Sequence, residues 1–197
     1  MTVPRGLRSR ERPACDSDRG PDGSTLFVDG PVGPAHARIT TIDLAGEDQP
    51  IHNEDNTAWV IFNGKIFNYV EFRAHLITFG HHFYAQSDTE VIVHLYKQYG
   101  EKFADHLNGQ FAILLWDKKR QKPVLAGDRA GIRLLFYTSA AGHFIFASKV
   151  KALFALSKVG RTLDETAINQ ICTYWSPLAT PTVVAAIESL PPGTSWT

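Results

Sequence analysis

Cysteine is nearly missing from this 197-residue chain, which holds only Cys15 and Cys172. Two isolated thiols exclude a disulfide framework and a Cys-based zinc site, and a reducing cytoplasm is the expected compartment. Net charge is missing as well, with 20 basic residues against 20 acidic ones. No global field therefore draws the chain to nucleic acid or to an anionic membrane, and neither partner is expected. No apolar run approaches the ~20 residues that cross a bilayer. The N-terminal arginines are not followed by the apolar stretch of a secretory signal. None of the eight histidines has the spacing of metal ligands, and the adjacent His81 and His82 would point apart on a strand, so no metal is expected. Internal repeats and low-complexity tracts are absent.

What is present fits one domain of ordinary size with a real core, 44% of it hydrophobic. Residues 1–24 are rich in Arg, Pro, Gly, Asp and Ser, cannot easily offset their ordering entropy, and are expected to be poorly ordered. Residues 25–197 form the domain. Short strands are expected at Thr25–Val28, Ala37–Ile42 and Ala58–Phe62, where β-branched residues alternate with smaller or polar ones. Asn63-Gly64 then reads as a tight turn, since both residues tolerate positive φ.

Helical spacing of Val70, Phe72, Leu76 and Phe79 predicts a helix over Tyr69–Phe79, stopped at Gly80. Ser87-Asp88-Thr89-Glu90 has the form of a capping box that opens a second helix, with Val91, Ile92, Leu95 and Tyr96 as its buried stripe and Gly100 at its end. Glu101–Leu107 reads as a short helix leading to a second turn at Asn108-Gly109. Strands follow at Gln110–Trp116, Pro123–Ala126, Leu134–Thr138 and His143–Ala147. The continuously apolar Ile113–Trp116 predicts a strand covered on both faces. Lys149–Leu156 and Glu165–Tyr174 read as helices, and the proline-bearing tail as extended or turning. Strands and helices in this order point to a layered α+β domain with two packed sheets.

Several residues could carry chemistry. Arg38 lies in an uncharged strand, where it could cap a sheet edge or grip a carboxylate with its fork. Asp88 at a helix start could serve the helix dipole or a cationic ligand. Asn63 and the Gly64 N–H put two donors at one point, which suits a developing oxyanion. Asp128-Arg129 could be a structural ion pair.

The order of motifs is more specific than any one of them. Arg19-Gly-Pro-Asp-Gly, Ala37-Arg-Ile-Thr-Thr-Ile-Asp, Gln49-Pro50, Phe62-Asn-Gly-Lys-Ile-Phe-Asn-Tyr and Ser87-Asp-Thr-Glu-Val-Ile come in sequence. Leu107-Asn-Gly-Gln-Phe-Ala, Trp116-Asp117, Asp128-Arg-Ala-Gly-Ile, Phe146-Ala-Ser and Leu190-Pro-Pro-Gly follow. From about Arg19 onward the chain resembles the class II glutamine amidotransferase (glutaminase) domain of glutamine-hydrolysing asparagine synthetases. The resemblance implies the N-terminal-nucleophile hydrolase fold, a four-layer α/β/β/α sandwich of two antiparallel sheets. It implies L-glutamine as ligand, with ammonia passed to a synthetase domain or subunit. Cofactors are expected in that synthetase part alone, as ATP and Mg2+, and none in this chain. By the same resemblance, Arg38 matches the residue holding the glutamine α-carboxylate, Ile42 lies in the strand lining the pocket, and Asp88 matches the carboxylate for the α-ammonium. Asn63 and the Gly64 N–H match the oxyanion hole.

The chain departs from the family at sensitive points. The family nucleophile is an N-terminal cysteine whose own amine is the base. Here Met1-Thr2-Val3-Pro4 stands instead, and family spacing counted from Arg19 puts that cysteine upstream of Met1. Cys15 is internal and reads as a bystander, and Thr2 lacks the strand that would carry a nucleophile into the pocket. Lys65 replaces a glutamate expected near the substrate ammonium, Lys149 an acidic residue, and Leu134 a proline. The opening strand and the synthetase domain are both expected to be lacking, which would leave a sheet edge unfilled. Two readings therefore stay open: a glutaminase domain, or a catalytically inactive glutamine-binding or interaction module, including a fragment of a longer gene.

Overall fold

The computed structural model describes residues 23–26, 35–38, 49–178 and 180–197. Two short strands, β1 (Gly23–Leu26) and β2 (Ala35–Arg38), pair antiparallel with Gly23 opposite Arg38. They overlap the strands expected at Thr25–Val28 and Ala37–Ile42, and the remainder of both stretches, Ile42 included, lies outside the described residues.

A five-stranded antiparallel sheet carries the domain. Its strands are β3 (Ile51–His52), β4 (Ala58–Ile66), β5 (Gly109–Asp117), β6 (Lys122–Gly127) and β10 (Ser195–Trp196), in the order β10-β6-β5-β4-β3. The long β4–β5 pairing runs from Ala58 opposite Asp117 to Ile66 opposite Gly109. Asn63-Gly64 is thus not a turn: it lies within β4, which continues to Ile66 because β5 offers partners along its whole length. Asn108-Gly109 is not a turn either. Asn108 feeds directly into β5, held by its N–H donating to Asn68 Oδ1 at 3.0 Å and by Phe67 N–H donating to its carbonyl at 2.7 Å.

Period-two alternation sends the two faces of this sheet into different cores. Val60, Phe62, Ile66, Phe111, Ile113 and Leu115 face α1 (Tyr69–Thr78) and α2 (Asp88–Tyr99). Ile61, Ala112, Leu114 and Leu125 face the second sheet, where Leu135, Phe144, Phe146 and Leu190 meet them. The expectation that Ile113–Trp116 is covered on both sides holds for this reason. The second sheet joins β7 (Phe136–Ala140), β8 (His143–Ala147) and β9 (Glu188–Ser189), antiparallel in the order β8-β7-β9. Its far face packs on α3 (Val150–Leu153) through Phe136, Ile145, Ala147, Val150 and Leu153. α4 (Glu165–Tyr174) begins at the cap Asp164, whose N–H donates to Val183 O and whose carboxylate accepts from Ala167 N–H. The layers are helix, sheet, sheet, helix.

The two helices on the first sheet differ sharply. Every residue of α2 from Asp88 to Tyr96 is buried, so it is a core helix whose polar groups all need partners. α1 buries only Leu76, with Tyr69 and Phe72 packed partly against the core. The apolar stripe expected there is incomplete: Val70 and Phe79 are exposed. Val70 is two residues from Phe72, about 200° around the helix, and Phe79 lies past the last turn. The capping box is half formed. Ser87 Oγ accepts from Glu90 N–H at 3.3 Å, whereas the Glu90 carboxylate turns back to accept from Tyr84 and Ala85 N–H at 2.8 and 2.7 Å.

Candidate functional site

Among the described residues, the edge of β4 away from β5 is where four of the six predicted site residues meet, and β3 covers it as far as Ile51 opposite Val60. Beyond it, side chains take over the strand's amides. Phe62 N–H donates to the buried Gln49 Oε1 at 2.8 Å, and Ile66 N–H to Asp88 Oδ2 at 3.0 Å. Alternate N–H groups of a strand point to the same edge, so the Gly64 N–H, two residues from each, points there too. It sits between two amides that side chains already hold.

Gly64 must be glycine. Its φ is +153°, and a Cβ there would lie 2.0 Å from Gln110 O and 2.7 Å from Phe111 Cα. Gly109 mirrors it, with an added Cβ 2.2 Å from Lys65 O. The two strands thus approach closely at this point, backbone against backbone. Asn63 is half-buried and opposite Ala112, the smallest side chain on that face of β5, which leaves room for a carboxamide.

Asp88 lies at the first turn of α2, where the helix dipole favours an anion. Its Oδ2 also stands 3.1 Å from Lys65 Nζ, and that ammonium lies 4.7 Å from the centre of the Tyr69 ring. The lysine therefore already neutralises the one carboxylate that the sequence marks for a cationic ligand. Arg38 closes β2 opposite Gly23 as a backbone position; with Ile42 outside the described residues, four of the six predicted residues, Asn63, Gly64, Lys65 and Asp88, come together on one strand edge.

Asp128 anchors this edge from one strand away. It is fully buried, and its carboxylate accepts from the N–H groups of Phe111, Ala130, Ile132 and Arg133, each at 3.0–3.1 Å. Burial pushes its pKa up, but these four donors together hold it below the ordinary carboxylate value. Among the described residues it is not half of an ion pair with Arg129, which instead donates to Asp105 O at 3.0 Å. Because Phe111 pairs with Gly64, Asp128 fixes the backbone against which Gly64 is pressed. Neither Gln49 nor Asp128 was marked for these tasks by local sequence. The available signal was an acidic residue ahead of a glycine-bearing loop, which fits many roles.

Comparison with known proteins identifies the family. The family model described as "Glutamine amidotransferase domain" matches residues 10–197. Asparagine synthetase [glutamine-hydrolyzing] 2 of Bacillus subtilis (strain 168) is 45% identical over 139 residues, 71% of this chain and 18% of the relative. Asparagine synthetase [glutamine-hydrolyzing] 1 of the same organism is 36% identical over 179 residues, 91% of this chain and 28% of the relative. The chain thus spans less than a third of the length of these relatives. Among solved structures, the glutamine phosphoribosylpyrophosphate amidotransferase from B. subtilis, complexed with ADP and GMP, aligns with a TM-score of 0.56 at 24% identity. That alignment covers 66% of this chain and 30% of the other, and it shows a shared fold.

Proposed function

The chain belongs to the glutamine amidotransferase domain family, and from that premise we propose that the edge of β4 is the floor of an L-glutamine pocket. Glutamine brings a zwitterionic head and a carboxamide tail, so a pocket for it needs an anion, a cation and amide-directed donors. Asp88 is the anion for the α-ammonium and Arg38 the cation for the α-carboxylate, in bidentate form. The Asn63 carboxamide and the Gly64 N–H are the donors for the amide oxygen, and they would gain strength as that oxygen becomes an oxyanion. Ile42 is assigned to the same pocket. The observation that supports the reading most is the direction of the Gly64 N–H between two side-chain-held amides on one edge.

Hydrolysis requires in addition a nucleophile with an adjacent base. Among the described residues the one cysteine, Cys172, is exposed on α4, and the residues assigned above bind glutamine and polarise its amide. A second reading, a glutamine-binding or interaction module without turnover, is favoured in its interaction form by one specific feature, the Lys65 ammonium that occupies Asp88. On the glutaminase reading the ammonia would pass to a synthetase part using ATP and Mg2+.

Calorimetric titration with L-glutamine and with N-acetyl-L-glutamine tests the pocket. Binding of the first and loss of the second, which has no α-ammonium, is expected; equal binding of the two would remove Asp88 from its role. Ammonia release measured in parallel separates the two readings, since steady turnover would exclude the binding module.

A further inference from the structure

A cluster on the opposite flank of α2 has no part in the glutamine reading. Three segments meet there: the link between β3 and β4, which carries Glu54; the segment after α1, which carries His81; and α2 itself, which carries His94. One donor atom from each of the three residues lies within 4.8 Å of the others. His81 Nδ1 is 3.1 Å from His94 Nδ1, and His94 Nδ1 is 3.2 Å from Glu54 Oε2. The geometry points to a divalent transition-metal site of the zinc class, with His81 Nδ1, His94 Nδ1 and Glu54 Oε2 as ligands.

The hydrogen bonds around the rings carry the argument. Glu90 accepts two backbone N–H groups, so its carboxylate is an acceptor, and the fully buried His94 Nε2 donates to its Oε1 at 3.4 Å. His81 Nε2 lies in hydrogen-bond contact with Gln98 Oε1 at 3.2 Å. The two Nδ1 atoms face each other at 3.1 Å, and Glu54 Oε2 stands 3.2 Å from one of them, so three lone-pair-bearing atoms converge on one point where a cation or a ring proton must relieve their repulsion. Outer carboxylate and carbonyl partners of this kind are what orient metal-binding imidazoles.

Spacing and charge agree. Tetrahedral zinc with bonds of about 2.0–2.1 Å holds its ligands about 3.3–3.4 Å apart; two pairs here lie within a few tenths of that, while the third side is longer, His81 Nδ1 standing 3.9 Å from Glu54 Oε1. Glu54 is a one-oxygen ligand, because its Oε1 already accepts from Lys97 Nζ at 2.7 Å. Glu54 and Glu90 together offset a doubly charged ion, while Lys97 is answered by Asp55 at 3.6 Å. Such an ion would clip the β3–β4 link and the post-α1 segment to the core helix.

The test loads the full chain with zinc sulfate, removes the excess, and measures bound zinc by mass spectrometry. Affinity is then read by competition with a chromophoric chelator. Wild type should keep one equivalent. Glu54→Ala, a change at a partly exposed side chain, and His81→Gln should each lose it, and Gln98→Ala should weaken affinity roughly 10–100-fold as a positioning residue. Circular dichroism confirms that each variant is folded, and the Glu54 variant carries the test if the histidine variant is not. Failure of wild type to retain zinc would overturn the site and leave a shared proton between the rings. Equal retention by wild type and Glu54→Ala would overturn it too, by tracing the metal to other side chains such as the exposed Cys172.

Discussion

Replacing Gly64 by alanine should be among the most destabilising single-methyl additions this chain can receive. The new Cβ would lie 2.0 Å from Gln110 O, 2.7 Å from Phe111 Cα and 2.9 Å from Gln110 C. All three are backbone atoms of a strand paired with β4 along its whole length, so no flexible side chain can yield. Asp128 holds Phe111 N–H from the far side, which stops β5 from retreating. Overpacking and an unfavourable backbone angle together come to roughly 3–4 kcal/mol, or about 6–15 °C in melting temperature for a chain of this size. Gly80 supplies the control: its φ is +86°, and a Cβ there meets nothing within 4 Å. Gly80→Ala should therefore cost only the backbone strain, about 1 kcal/mol. Denaturant unfolding followed by circular dichroism measures both. If the two variants lose the same stability, the close approach of β4 to β5 is wrong, and with it the direction given to the Gly64 N–H.

Other predictions concern charge. Asp128→Asn should lose at least about 3 kcal/mol, because an amide nitrogen would face N–H groups that now find an oxygen. The wild-type Asp128 carboxylate is held below its ordinary value of 3.8. Its stabilising effect is therefore complete above that value and is lost as pH falls from there through the folded pKa; an acid-unfolding series should show this limb in wild type and a flatter one in the variant. Lys65→Gln should raise glutamine affinity by about fivefold, since a partly exposed ion pair on Asp88 worth about 1 kcal/mol no longer competes; lower affinity by calorimetry would mean that the lysine helps the ligand.

Legibility followed the kind of signal. Periodicity found β5, β6, β8, α2 and α4 almost to the residue, because burial on one or two faces imposes a repeating pattern, but it ended β4 at Phe62 instead of Ile66 and set β7 two residues early. It overrated α1, where Val70 and Phe79 are apolar yet solvent-facing. The Asn-Gly pairs misled for a physical reason: glycine permits a turn, but it also permits two strands to approach closely, and only the partner strand decides. The site residues became visible through the order of motifs rather than through any local rule. Long-range polar contacts stayed hidden. Gln49 on Phe62, Asp128 on Phe111 and the pairing of His81 with His94 join residues 13 to 17 positions apart, and no spacing rule links them.

Calorimetric titration of wild type and Arg38→Ala with L-glutamine bears most directly on the central claim, that this domain holds glutamine by its charged head. The account predicts measurable binding to wild type and a loss of at least tenfold in the variant, the worth of a charge-assisted hydrogen-bonded pair at roughly 1.5–3 kcal/mol. Equal affinity in the two proteins would contradict it.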